Sequence, residues 1–138
     1  MNNAIWIVIP GAPTGKGRPR VATRGGHARA YTPAKTRTRE GIVASLAMDA
    51  MAGRPAMTGP VQVAVSVVSP IPTSWSRRKR AEAIDQPCPV KPDLDNIIKL
   101  VLDSINGIVF ADDRQVVELI ASKRYGEEPQ IIVTVREV

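Results

Sequence analysis

The chain has 138 residues, enough for one domain with its own core. It has a single cysteine, Cys88, so an intramolecular disulfide is excluded and Cys88 between two prolines reads as incidental. No apolar run approaches membrane-spanning length and the first residues lack the regions of a signal peptide, which points to a cytoplasmic protein without a membrane partner. The net charge of +6 is segregated: residues 1–81 carry 13 Lys and Arg against two acids, and residues 82–138 carry six against 11. Evenly solvated charge is the plainer reading of a dispersed excess. Segregation favours a polyanion met by the basic half and a cation held by the acidic half.

In chain order, Ala4–Ile9 is a short β-branched run closed by Pro10-Gly11 and predicts a buried strand. Residues 11–31 are rich in Gly, Pro and Arg without apolar periodicity, and predict a long loop or an irregular hairpin. Thr32-Pro33 has the form of an N-cap followed by Pro. Ile42, Val43, Leu46, Ala47, Ala50 and Met51 then recur at helical spacing until Gly53, so this stretch is helix one. Val61–Val68 alternates and predicts a strand ended by Pro70 and Pro72. Ser74–Ile84 suits a short basic helix, and Pro87, Pro89 and Pro92 then impose an extended lead-in. Helix two starts near Asp93, with Leu94, Ile98, Val101, Leu102 and Ile105 as its expected core face and Asn106-Gly107 as its stop. Ile108–Ala111 is too short to place, Gln115–Lys123 reads as a strand, and Gln130–Val135 as a terminal strand. This order predicts an α+β fold: one small domain over residues 1–138, with a mixed sheet and two main helices packed on one face.

Polar residues concentrate between Lys91 and Gln115. Taking 100° per residue from Asp95, Asn106, Lys99, Asp103 and Asn96 fall between about 20° and 100°, opposite an apolar arc at roughly 240–340°. Singly, each feature has an ordinary explanation. Asp93 suits an N-cap worth about 1 kcal/mol, Asp95 and Lys99 form a common i, i+4 pair, and Asp112-Asp113 makes a good turn. Together they make an acid-x-acid, a Lys one helical turn on, and an acid pair expected to return to the same end of the helix. Carboxylates gathered this way must protonate, separate or bind a cation. Oxygen donors with no His or Cys nearby select Mg²⁺, with Mn²⁺ as a substitute, over zinc. Such a metal can orient water and stabilise charge on a phosphodiester, with Lys99 as an added positive donor.

In the basic half, Lys16, Arg18, Arg20, Arg24 and Arg29 lie in a Gly-rich stretch able to follow a phosphate track. It is not a P-loop, because Gly11 is one residue too close and Gly17 replaces the required Ser or Thr. Lys35, Arg37 and Arg39 oppose the dipole at the start of helix one, which hints at an anionic ligand. Arg77, Arg78, Lys79 and Arg80 are equally well read as a solvated face or as DNA contacts. With few aromatic residues, duplex or junction backbone is a better target than single-stranded bases. Against a nuclease stand a DNA-binding protein without catalysis and a phosphohydrolase of small nucleotides; the cationic half disfavours the latter.

The motifs KPDLDN, Lys99, Asp103 and ADDRQV in that order, with GAPTGKGRPRV and YTPAKT near the N-terminus, resemble the RusA family of Holliday-junction resolvases of bacteria and their phages and prophages. That resemblance implies metal-binding catalytic carboxylates at Asp93, Asp95 and Asp113, a catalytic Lys99, and supporting roles for Asp112, Asp103 and Asn96. It further implies a homodimer that makes paired nicks in four-way DNA junctions with Mg²⁺ or Mn²⁺.

Overall fold

The computed structural model describes residues 4–17, 20–24, 27–31 and 34–138, and only the backbone of residues 20–24, 27–31 and Lys35. The first strand, β1 (Ile5–Pro10), alternates as its sequence demands, with Ile5, Ile7 and Ile9 buried and Trp6, Val8 and Pro10 exposed. The stretch expected to be a loop or an irregular hairpin is partly the latter: β2 (Arg20–Arg24) and β3 (His27–Tyr31) pair antiparallel as a ladder of their own. Helix α1 (Ala34–Met51) follows, burying Val43, Ala47 and Met51; Ile42, expected on that stripe, is exposed. Strand β4 (Val61–Pro70) buries Val61, Val63, Val65 and Val67, and continues two residues past its predicted end, through Pro70.

The basic stretch gives α2 (Arg77–Ala83), where Ser76 caps the helix by accepting from the Lys79 N–H at 3.2 Å. Helix α3 (Leu94–Ile105) ends before Gly107, whose φ of +81° suits a residue without a Cβ. A single 3-10 turn (Asp113–Gln115) leads into β5 (Val116–Gly126), and β6 (Gln130–Glu137) closes the chain.

The main sheet has the order β1-β6-β4-β5. Strands β4 and β5 run parallel, while β6 is antiparallel to both β1 and β4, which makes the predicted mixed sheet. One face is covered by α1 and α3. Ile131, Val133 and Val135 of β6 join the buried residues of β1 and β4 beneath Val43, Ala47, Ile97, Val101, Ile105 and Phe110. Each large aliphatic side chain buried this way contributes roughly 1.5–3 kcal/mol from removal from water. At the far end of β5, Gly126 lies so close to Val68 that any Cβ would collide with it.

The core face of α3 is rotated from the expected one. Ile97, Leu100, Val101, Ser104 and Ile105 are buried, while Leu94, Ile98 and Leu102 are half-buried. The buried arc is centred about 80° from the predicted one, counting 100° per residue. The reason is packing on two sides, since α3 meets α1 as well as the sheet. Ser104 is tolerated in this interface because its hydroxyl donates to the Leu100 carbonyl at 2.6 Å.

Among the described residues no helix covers the other sheet face. Strand register aligns Trp6, Thr134, Ala64 and Ile120 in one row across it and Val8, Ile132, Ser66 and Ser122 in the next. Trp6 and Ile120 are 65% and 60% exposed, and between them lies a shallow hollow of about 340 Å³ floored by Ala64, Ser66 and Thr134. A second, smaller apolar cluster of Ile71, Ala83, Cys88 and Tyr125 seats α2 against the end of β5, giving Cys88 a packing role. Among the described residues, no helix is long and apolar enough to cross a membrane.

Candidate active site

The carboxylates at the head of α3 are placed by the proline-rich lead-in. Residues 85–88 run along the outer edge of β5, with the Asp85 N–H donating to the Tyr125 carbonyl at 2.9 Å and the Cys88 N–H to the Lys123 carbonyl at 3.1 Å. Lys123 then reaches back, its ammonium donating to the carbonyls of Val90 and of Pro92, the latter at 2.7 Å. The chain is thus held just before α3 begins. Lys123 is not among the residues predicted for the site, because a strand lysine carries no signal of what it reaches.

Asp93 occupies the N-cap position, and its carbonyl accepts from the Ile97 N–H at 3.1 Å, but its carboxylate makes no capping hydrogen bond. The capping explanation of Asp93 therefore does not account for its charge. Asp95 uses one oxygen on the adjacent Asn96 N–H at 3.0 Å. Both acids are exposed, as is Lys99 one turn further on, and the two acids stand at the helix end whose dipole favours anions.

Gly15 packs against this helix head. A Cβ on it would meet that of Asn96 at 3.0 Å and that of Pro92 at 3.3 Å. The Lys16 N–H donates to the Asn96 carbonyl at 3.1 Å, and the Gly17 N–H to the buried Thr36 hydroxyl at 3.0 Å. Lys16 itself, expected to face phosphate, instead bonds Asp103, with Glu40 also at 3.4 Å. Its pKa is raised, first by the hydrogen bond to Asp103 and then, against the opposing effect of burial, by the charges of Asp103 and Glu40. Asp103 is accordingly half-buried and partnered.

The second acid pair sits on the 3-10 turn before β5. Asp112 caps it, accepting from the Arg114 N–H at 3.1 Å, while the Gln115 side-chain oxygen accepts from the Asp112 N–H at 2.8 Å. The Gln115 amide nitrogen donates to the carbonyls of Met57 at 2.9 Å and Gly59 at 2.8 Å. The Asp112 pKa is lowered, chiefly by the Arg114 N–H. That of Asp113 is raised, first by its contact with Asp112, then by burial and by the charges of Asp112 and Asp103. The signal for Gln115 was present in the sequence as Asp-x-x-Gln, the pattern of a capping box.

The charge of Asp103, in the last turn of α3, acts on Asp113, and Asp103 lies about 12 Å along the helix axis from Asp95. The expected return of Asp112-Asp113 to the helix head is not seen. The chain reverses at Asn106-Gly107, beyond the last turn, and β5 then runs back along α3 only after the acid pair. Among the described residues no three His, Cys, Asp or Glu side chains stand together as a metal-holding group. The donor chemistry nevertheless fits a hard divalent cation: exposed carboxylate oxygens without an ion pair among the described residues at Asp93 and Asp95, and at Asp113 a carboxylate crowded by like charge.

Of the cations proposed for DNA, Arg18 lies outside the described residues, and so do the side chains of Arg20, Arg24, Arg29 and Lys35. Arg37 is exposed in the first turn of α1. On α2, Arg78 pairs with Glu82 at 3.1 Å and Lys79 lies 4.0 Å above the centre of the Trp75 ring. Arg77 and Arg80 line a cavity of about 670 Å³ with Thr73 and Glu127.

The chain is a small α+β domain with acids along one helix and the following turn, and comparison with known proteins gives its class. The sequence model described as Endodeoxyribonuclease RusA matches residues 10–136. The chain is also 38% identical to the uncharacterized protein YqaN of Bacillus subtilis strain 168 over 143 aligned positions, covering 99% of this chain and 98% of that protein. The chain belongs to the RusA family of endodeoxyribonucleases.

Proposed function

We propose that the protein is a divalent-metal-dependent endonuclease that resolves four-way DNA junctions by paired nicks, acting as a homodimer in the cytoplasm during recombination and repair. The observation that carries this reading is the use made of each acid. Asp93 sits at an N-cap without capping, Asp95 and Lys99 stand exposed beside it, and Asp113 is held out on an anchored turn. A residue serving only as a cap would spend its carboxylate on a backbone N–H group, as Asp112 does; Asp93 makes no capping bond, and Asp95 uses only one oxygen, on the adjacent Asn96 N–H.

Asp93 and Asp95 at the head of α3, and Asp113 on the turn that follows the helix, are the carboxylates that would take Mg²⁺ or Mn²⁺ from two separate places, and a bound ion would supply charge stabilisation and an activated water for phosphodiester hydrolysis. Lys99 carries positive charge to the same face of α3, where it can bind the scissile phosphate and stabilise charge developing on it. The basic residues 16–39 and α2 supply cations for the backbone of a branched duplex, and Lys16 contributes by fixing the loop to Asp103 and Glu40.

The bare sheet face supports dimerisation. Four strands and four rows of side chains span about 19 by 27 Å, roughly 500 Å² per copy. Two such faces bury about 1,000 Å² together, near the lower limit for a specific interface. We assign that face to a second copy, because its centre is uncharged and its ridges and hollow lie side by side.

Incubation of a labelled four-way junction with the protein in Mg²⁺ or in EDTA tests the activity. Nicking in Mg²⁺ alone is expected. Junctions bound but uncut in Mg²⁺ would identify a DNA-binding protein without catalysis.

A further inference from the structure

The 3-10 turn that carries Asp113 is three residues long, and what surrounds it is electrostatically unfavourable to its position. Asp112 and Asp103 both bring like charge toward Asp113, and Asp112 closes the turn only on itself, by accepting from the Arg114 N–H. The strip 109–111 pairs with Met57, through the Met57 N–H to the Val109 carbonyl at 2.8 Å and the Ala111 N–H to the Met57 carbonyl at 3.1 Å. Strand β5 begins only at Val116. Between them one side chain closes the gap.

We infer that Gln115 is the positioning residue of the site: its amide ties the Asp112-Asp113 turn to the strip 57–59 and so fixes where the Asp113 carboxylate stands. The amide uses its oxygen on the Asp112 N–H and both of its N–H groups on the carbonyls of Met57 and Gly59, all at 2.8–2.9 Å. That requirement is specific to glutamine. Glutamate has no proton for the two carbonyls and would add a third negative charge to the turn. Asparagine is one methylene too short to meet both sides. Methionine matches the length and apolar bulk but makes none of the three bonds. Gln115 is half-buried at the margin of the core, so its bonds are shielded enough to hold while the acids beside it remain accessible.

This inference rests on the reading that Asp113 takes a divalent cation, and the test separates the two. Mn²⁺ binding to the full chain, without DNA, is measured from the paramagnetic resonance of free Mn²⁺ for the natural protein, Gln115→Met, Gln115→Asn and Asp113→Asn. Junction binding in EDTA, nicking against Mn²⁺ concentration and thermal unfolding are followed in parallel. Gln115→Met is expected to weaken Mn²⁺ binding by about tenfold or more, and Gln115→Asn by less, with junction binding within about twofold of the natural protein. Raised Mn²⁺ should restore nicking in Gln115→Met and leave Asp113→Asn inactive.

A folded Gln115→Met or Gln115→Asn whose Mn²⁺ affinity stays within about twofold of the natural chain contradicts the inference, even if it melts earlier. Failure of both variants to fold contradicts it as well, since Gln115 would then belong to the core. A natural protein that itself binds no Mn²⁺ overturns the metal reading of Asp113 and this inference with it.

Discussion

Asp93 and Asp112 are both N-cap aspartates, and the difference between them separates a structural acid from one available for chemistry. Asp112 spends its carboxylate on the Arg114 N–H, whereas Asp93 makes no such bond. Asp93→Asn and Asp113→Asn should therefore leave junction binding in EDTA unchanged or tighter, since each removes negative charge near phosphate, while nicking falls by about 100-fold or more. Parallel loss of binding and cleavage would make these residues structural. Lys99→Ala should slow nicking without lowering the unfolding midpoint, because Lys99 is exposed and outside the core of α3.

Lys16 behaves differently, as a residue whose charge serves the fold. Its folded-state pKa is raised by Asp103 first and by Glu40. The stability it contributes is complete below its ordinary value of 10.5 and is lost as pH rises through the folded-state value. Urea midpoints should accordingly fall above about pH 10.5, and fall less in Lys16→Met, with the remainder owed to Tyr125, whose pKa burial also raises. An identical decline in Lys16→Met would show that the ion pair contributes nothing.

At the scale of elements, α3 shows what periodicity conveys and what it omits. The helix itself, its start at Asp93 and its stop at Asn106-Gly107 are all legible from caps and spacing. The buried face is not. Leu94, Ile98 and Leu102 form an unbroken apolar arc, but α1 packs from the side and draws Ile97, Leu100 and Ser104 into the core instead. Sequence periodicity records only that one side is apolar, whereas the contact with α1 is long-range. Ile97→Ala should cost about 2–5 kcal/mol in urea unfolding and Ile98→Ala distinctly less; equal costs would restore the unrotated face.

The same distinction applies to the site. Asp93, Asp95, Lys99 and the Asp112-Asp113 turn could be picked out because acids at helical and turn positions are unusual in combination. Their arrangement could not, since it depends on where the chain reverses after Ile105 and on which strand edge β5 follows. Lys16 was legible as a cation but not as the partner of Asp103, 87 residues away. Gln115 was visible as a capping-box residue, but its two bonds to Met57 and Gly59 cross more than 50 positions.

For the whole molecule, charge and architecture divide the work. The helix-covered face carries the acids of α3, whereas the opposite sheet face has Trp6, Val8, Ile120 and Ile132 in adjoining rows and no charge at its centre. Sedimentation should find a dimer for the natural chain and a folded monomer for Trp6→Lys. A Trp6→Lys protein that remains dimeric places the interface elsewhere. That the sheet is mixed, with helices on one face, was legible from element order, but the strand order β1-β6-β4-β5 was not, because it depends on long-range pairing.

The most direct test of the account is to map the cuts made in a four-way junction labelled in turn on each strand, with Mg²⁺ present. Nicks at symmetric positions on two opposing strands, absent in EDTA and in Asp113→Asn, are the predicted result. Cleavage that persists in EDTA or in Asp113→Asn, or that falls on one strand without a partner nick, would contradict a metal-dependent dimeric resolvase.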